Sequence, residues 1–207
     1  MLVTNTTNFR ATYEISPVFT LLEREIIKYL GSLCGWNRNS VDGIFAPGGS
    51  MANIFGMILA RHLKFPQIKK DGLRNINGQL VVFVSEDSHY SFVKGSFWMG
   101  HGSDSVIKVK TNGIGVMDVS DLELCIEKAI KDGKIPFMIA CTSGTTVLGA
   151  FDPILEVSHV AKKYNLWLHV DAALGGTVLF SRRHKHLMDG VQFADSVAWN
   201  LHKLGVK

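Results

Sequence analysis

Cysteine is scarce in this chain of 207 residues: Cys34, Cys125 and Cys141 are the only three. An odd number of widely spaced thiols excludes a disulfide framework and offers no zinc-ligand spacing, so no metal site is expected. It fits reduced thiols in a cytoplasmic protein. Cys125 and Cys141 fall in apolar periodic stretches, where thiols act as buried small hydrophobes. Long apolar runs are missing too, and none reaches the roughly 18 residues of a membrane helix. The start, Met1-Leu2-Val3-Thr4-Asn5, has no basic region followed by an apolar one, so no secretory signal is read. The sequon Asn5-Thr6-Thr7 is then a chance match. Dense positive charge is absent: 22 basic and 18 acidic residues give a net +4. The one basic cluster, Arg182-Arg183-His184-Lys185-His186, has no interleaved aromatics and reads as a solvated loop. A nucleic-acid partner is not expected from such a pattern. No internal repeat or low-complexity segment is found.

What is present is a chain rich enough in apolar residues, at 46%, to build a sizeable core. Phe19, Leu22, Ile26, Leu30 and Leu33 recur at helical spacing after Pro17. Residues 53–63, 89–99 and 154–164 also read as helices. Ser120-Asp121-Leu122-Glu123 has the spacing of a capping box, followed by an apolar stripe and a stop at Gly133. Short β-branched runs at residues 80–84, 106–109, 137–141, 166–170 and 196–199 read as strands. From about Leu80 onward strands and helices alternate. That implies an α/β fold: a mainly parallel sheet with helices on both faces, preceded by an N-terminal helical segment. Ligands of such sheets bind at the carboxyl ends of the strands.

Two motifs near the end of the chain carry the chemistry. His169-Val170-Asp171-Ala172-Ala173 ends an apolar run with a carboxylate among small residues. In Asn200-Leu201-His202-Lys203, the lysine follows that aspartate by 32 positions. A buried carboxylate needs a cationic partner, and small neighbours leave room for a flat ring. A lysine can form a Schiff base with an aldehyde, and burial would make its amine a better nucleophile. These are the parts needed to hold pyridoxal phosphate. Pro47-Gly48-Gly49-Ser50 opens a helix, where free N–H groups attract phosphate. Ser143-Gly144-Thr145-Thr146 is a hydroxyl-rich loop after a strand. His89 follows another strand end and could stack on a planar ring. Each of these three has an ordinary reading as a turn or helix start when taken alone.

Together the motifs resemble the pyridoxal-phosphate-dependent group II amino-acid decarboxylases of the acidic-substrate branch, which acts on cysteine sulfinate, glutamate or aspartate. The carrying stretches include Thr12-Tyr13-Glu14-Ile15-Ser16-Pro17, Gly43-Ile44-Phe45-Ala46-Pro47-Gly48-Gly49-Ser50 and Ser88-His89-Tyr90-Ser91. Further on are residues 142–153, 166–173 and 194–200, in the family's order. The resemblance implies that Lys203 carries the cofactor, Asp171 pairs with its ring nitrogen and His89 stacks on the ring. It places Ala173 on the other ring face and Thr146 near the ring oxygen. Gly49, Ser50, Asn200 and His202 would serve the phosphate. The implied reaction is loss of the α-carboxylate of a small acidic amino acid as carbon dioxide.

The chain departs from the family's pattern at Leu174, where Trp is usual, and at Leu201, where Pro restrains the turn before the lysine. Ala11 replaces an aromatic or hydroxylated residue expected beside the substrate pocket. Residues 142–148 and 195–199 look closer to cysteine sulfinate decarboxylases than to glutamate decarboxylases. The expected substrate is cysteine sulfinate or aspartate, with glutamate close behind. The resemblance also implies a homodimer. The expected organisation is a helical segment over residues 1–40 and a partial cofactor-binding large domain over 41–207, with the small C-terminal domain absent. The chain ends four residues after Lys203, which reads as an N-terminal fragment. Two alternatives stand beside the main reading: a truncated, non-catalytic fragment that binds cofactor or dimerises, and an aromatic amino-acid decarboxylase.

Overall fold

The computed structural model describes residues 13–204. Ala11, Thr12, the Asn5 sequon and the last three residues, Gly205-Val206-Lys207, lie outside the described residues. The chain divides into two compact units, Met1–Ala46 and Pro47–Lys207. In the first, helix α1 spans Pro17–Leu33 and begins on the proline, whose missing N–H costs nothing in a first turn. Gly31 is buried there, and a Cβ on it would come within 2.7 Å of the Val41 side chain.

The second unit is built on a sheet of β1 (Leu80–Ser85), β2 (Val106–Val109), β3 (Ile135–Thr142), β4 (Trp167–Asp171) and β5 (Ser196–Ala198). The strand order is β2-β1-β3-β4-β5 and every pairing is parallel. The unit's helices, in chain order, are α2 (Gly49–Lys64), the short α3 (Ile68–Asp71), α4 (Ser91–Trp98), α5 (Val119–Lys131), α6 (Ile154–Tyr164) and, at the end, α7 (Leu201–Leu204). Parallel neighbours need crossovers; α4, α5 and α6 lie in the first three and short 3-10 turns in the last. Met57 and Ala60 of α2 pack with Phe92 of α4 on Leu80, Val82 and Val84, alternate residues of β1. The α5 helix buries Leu122, Ile126 and Ala129, and α6 buries Ile154, Val157, Val160 and Ala161. Both sheet faces are thus covered, so β1 is buried along its whole length. Among the described residues no helix is long and apolar enough to cross a membrane.

Local differences from the sequence reading have local causes. The β3 strand starts before Pro136, and the ladder with β1 slips between Val81 and Val82, the irregularity that a proline in a central strand demands. The α5 helix is capped by Asp118, which accepts from the Ser120 and Asp121 N–H groups, so the box expected at Ser120 and Glu123 does not form. Glu123 instead pairs with Lys163. The α4 helix starts at Ser91, because the Ser91 N–H donates to the His89 ring and leaves His89 outside the helix. Cys34 and Cys141 are buried, but Cys125 is only partly so, with its Sγ 3.7 Å from Asp121 Oδ2.

Candidate active site

Because all five strands are parallel, their carboxyl ends share one edge of the sheet, and the loops leaving them surround one cavity of about 170 Å³. Asp87, His89 and Tyr90 come from the loop after β1; Thr142, Gly144 and Thr146 come from β3 and its loop. Asp171 ends β4, Ala173 and Leu174 follow it, and Asn200 and Lys203 follow β5. The start of α2 contributes Gly49, Ser50 and Asn53. The structure therefore brings together Gly49, Ser50, His89, Thr146, Asp171, Ala173, Asn200 and Lys203. His202 is exposed and does not line the cavity.

Asp171 is 4% exposed. Its Oδ2 accepts from Asn53 Nδ2 at 2.7 Å and its Oδ1 from the Ala173 N–H at 3.1 Å. Each oxygen has one neutral donor and keeps acceptor capacity in hand. The cationic partner expected for this carboxylate is not among the described residues. Two residues earlier on the same strand face, His169 is fully buried, and burial pushes its pKa down to about 4 against the pull of Asp171.

At the other side of the cavity α2 opens on Gly48, whose φ of +97° suits glycine alone. The first N–H groups of this 16-residue helix have no intrahelical partner and carry the positive end of its dipole. A Cβ on Gly49 would come within 2.8 Å of Asn200 Nδ2, so glycine lets the Asn200 amide lie against the helix start. The turn into α7 closes by the Lys203 N–H donating to Asn200 O at 3.1 Å, with Leu201 in place of a proline. Lys203 is exposed in that four-residue helix, so the burial expected for it is not found. The His89 ring accepts from the Ser91 N–H at 3.2 Å and lies 4.2 Å from the Tyr90 ring. Thr142, 5% exposed, lines the cavity, and its buried hydroxyl has no hydrogen-bond partner.

Asp152 supports the floor. It accepts from the Thr142 N–H at 2.7 Å and the Met117 N–H at 2.9 Å, which ties the end of β3 to the hairpin before α5. Its burial pushes its pKa up to about 6. Asn53 and Asp152 were not singled out for a role in the sequence. A polar residue on the apolar face of α2 that also carries Met57 and Ala60 was the available signal for Asn53. The residues present fit pyridoxal phosphate. A helix start with free N–H groups suits a phosphate, an acceptor-only carboxylate suits a protonated ring nitrogen, and a lysine amine lies on the same cavity.

Comparison with known proteins follows the same line. The family model described as the pyridoxal-dependent decarboxylase conserved domain matches residues 1–207. Cysteine sulfinic acid decarboxylase of Rattus norvegicus is 52% identical over 193 residues, which are 93% of this chain and 38% of that protein. This chain thus spans about two fifths of the length of the curated relatives it matches. The crystal structure of mouse CSAD in apo form superposes with a TM-score of 0.91 at 52% identity, covering 93% of this chain and 40% of that one. The glutamate decarboxylase domain of a Vibrio parahaemolyticus diaminobutyrate enzyme superposes at 0.89 with 34% identity, covering 94% and 43%.

Proposed function

Since this chain belongs to the pyridoxal-dependent decarboxylase family, we propose that its protein removes the α-carboxylate of a small acidic amino acid. The favoured substrate is cysteine sulfinate, then aspartate, with glutamate close behind. The cofactor is pyridoxal phosphate, which the family's description as pyridoxal-dependent decarboxylases supports. The observation that carries the reading is the convergence of Asp171 and Lys203, from two strand ends, on one cavity roofed by the start of α2. The likeness to cysteine sulfinic acid decarboxylases supports the choice of substrate.

When bound, the cofactor supplies an electron sink for the pair released as carbon dioxide leaves. This chain's residues would do the rest. The Lys203 amine would tether the cofactor's aldehyde carbon and give way to the substrate amine. Asp171 would hold the proton on the ring nitrogen, which keeps the ring electron-poor. The N–H groups of Gly49 and Ser50, with the Asn200 amide, would bind the phosphate. His89 and Ala173 would flank the ring, and Thr146 would face its oxygen. His202, exposed in α7, would reach the phosphate only by turning its side chain inward. We further propose a homodimer in the cytoplasm. The exposed Val18, Leu21 and Leu22 of α1 support self-association, and three free cysteines support a reducing compartment.

The test is to load the protein with pyridoxal phosphate, reduce with borohydride and map the labelled peptide by mass spectrometry. Label on Lys203 that disappears in Lys203→Ala is expected, together with carbon dioxide release from cysteine sulfinate by the intact protein. Label scattered over surface lysines, or no label, would sink the reading.

A further inference from the structure

Behind Asp171 runs a chain of hydrogen bonds whose sense is set by its two ends. An indole N–H only donates and a carboxylate only accepts. Trp167 Nε1 therefore donates to Ser196 Oγ, 2.8 Å away. Ser196 Oγ also lies 2.8 Å from His169 Nδ1 and donates to it when the ring is neutral with its proton on Nε2. A neutral ring that accepts at Nδ1 carries its proton on Nε2, which donates to Asn53 Oδ1 at 3.1 Å. Asn53 Nδ2 then gives one N–H to Asp171 Oδ2 at 2.7 Å and the other to Ser91 Oγ at 2.9 Å. A flipped Asn53 amide would set its oxygen against the Asp171 carboxylate, so that end holds the amide and, through Asn53 Oδ1, the proton on His169 Nε2.

Packing holds the same arrangement. Gly56 lies one turn beyond Asn53 on α2, and a Cβ there would come within 2.7 Å of His169 Nδ1 and 2.8 Å of its Cε1. Glycine lets the helix backbone run against the imidazole. Phe92 meets the ring edge-on, with centroids 6.0 Å apart. Asn53 and His169 are 2% and 1% exposed. Trp167, Ser196 and His169 do not line the cavity, so they can act only through Asn53 and Asp171.

We propose that Trp167, Ser196, His169 and Asn53 are positioning residues that form a one-way relay locking the Asp171 carboxylate before the cofactor arrives. The proposal rests on reading the cavity as a pyridoxal-phosphate site. Asn53 fixes Oδ2 and the Ala173 N–H fixes Oδ1, so the acceptor capacity left over would serve a ring nitrogen without reorganisation of the carboxylate.

The test begins without cofactor. In the intact protein with 15N-labelled histidine, the His169 ring is expected as the neutral form protonated at Nε2. Ser196→Ala removes the donor to Nδ1 and should move the Nδ1 resonance toward that of a ring nitrogen without a hydrogen bond, with the proton still held on Nε2 by Asn53, while Ser196→Thr keeps the hydroxyl and should restore it. In cofactor titrations followed by absorbance, Ser196→Ala should weaken binding roughly tenfold, as loss of an outer-shell partner does, and Ser196→Thr should recover most of it. A wild-type ring protonated at Nδ1 overturns the relay. So does a Ser196→Ala variant that keeps both the Nδ1 resonance and the affinity while wild-type protein binds cofactor. Wild-type protein that takes up no cofactor overturns the function reading instead, and the relay's purpose with it.

Discussion

At the scale of single residues, the site depends on side chains that are small as much as on those that react. Gly49 shows this most directly. Its backbone lies outside the left-handed region, so alanine suits its conformation and favours a helix by up to about 1 kcal/mol over glycine. The added methyl, however, would sit 2.8 Å from Asn200 Nδ2 and 3.1 Å from Asn200 Oδ1. Asn200 is 9% exposed, and its amide would have to turn away from the helix start to make room. Gly49→Ala should therefore fold as well as the wild type by circular dichroism and bind pyridoxal phosphate at least about tenfold more weakly, a loss of about 1.4 kcal/mol. Unchanged affinity in a cofactor titration would show that Asn200 has no part in holding the phosphate.

At the scale of elements, the helices and strands were legible where apolar period alone decides them. The α6 helix falls on residues 154–164 as read, and β2 on residues 106–109. What escaped depends on partners far away in sequence or on competing local bonds. Asn53 meets Asp171 across 118 residues, and no local window holds both. His169 gave a signal that could have been used: in a strand with alternating faces it must share the face of Asp171. The cap of α5 was misread because two acceptors compete for the same N–H groups. Asp118, one residue before the helix, takes the N–H groups of Ser120 and Asp121 at 2.8 and 3.2 Å. Its charge also suits the positive end of the helix. Asp118→Ala should then lower stability by about 1 kcal/mol, while Ser120→Ala should change little. Urea denaturation of both variants decides it, and a larger loss at Ser120 would restore the capping box.

At the scale of the whole molecule, the burial that shapes the site also sets how stability responds to acid. His169 in the folded protein titrates near 4, against 6.5 for an ordinary histidine, because burial disfavours its charge. Unfolding therefore takes up a proton there between those values, so this stability is present above pH 6.5 and lost as pH falls toward 4. His101 is shifted the same way by burial and by Arg61, also to about 4, but it is less deeply buried and counts for less. Asp152 acts in the opposite sense. Burial raises it from 3.8 to about 6, so unfolding releases its proton and stability is lost as pH rises through 6. Asp195, raised by burial as well, adds to that release. Near pH 5 the histidines and the carboxyls thus act in opposite senses. In Asp152→Asn most of one released proton is removed, so the slope between pH 4.5 and 5.5 should become more positive by about 1 kcal/mol per pH unit. The variant will be weaker at every pH, because an amide can accept from only one of the two N–H groups that the carboxylate serves. The slope, read from urea denaturation across the interval, separates that constant loss from the titration. A slope equal to wild type would mean that Asp152 stays ionised in the fold, and that the clamp on Thr142 is a carboxylate rather than a carboxylic acid.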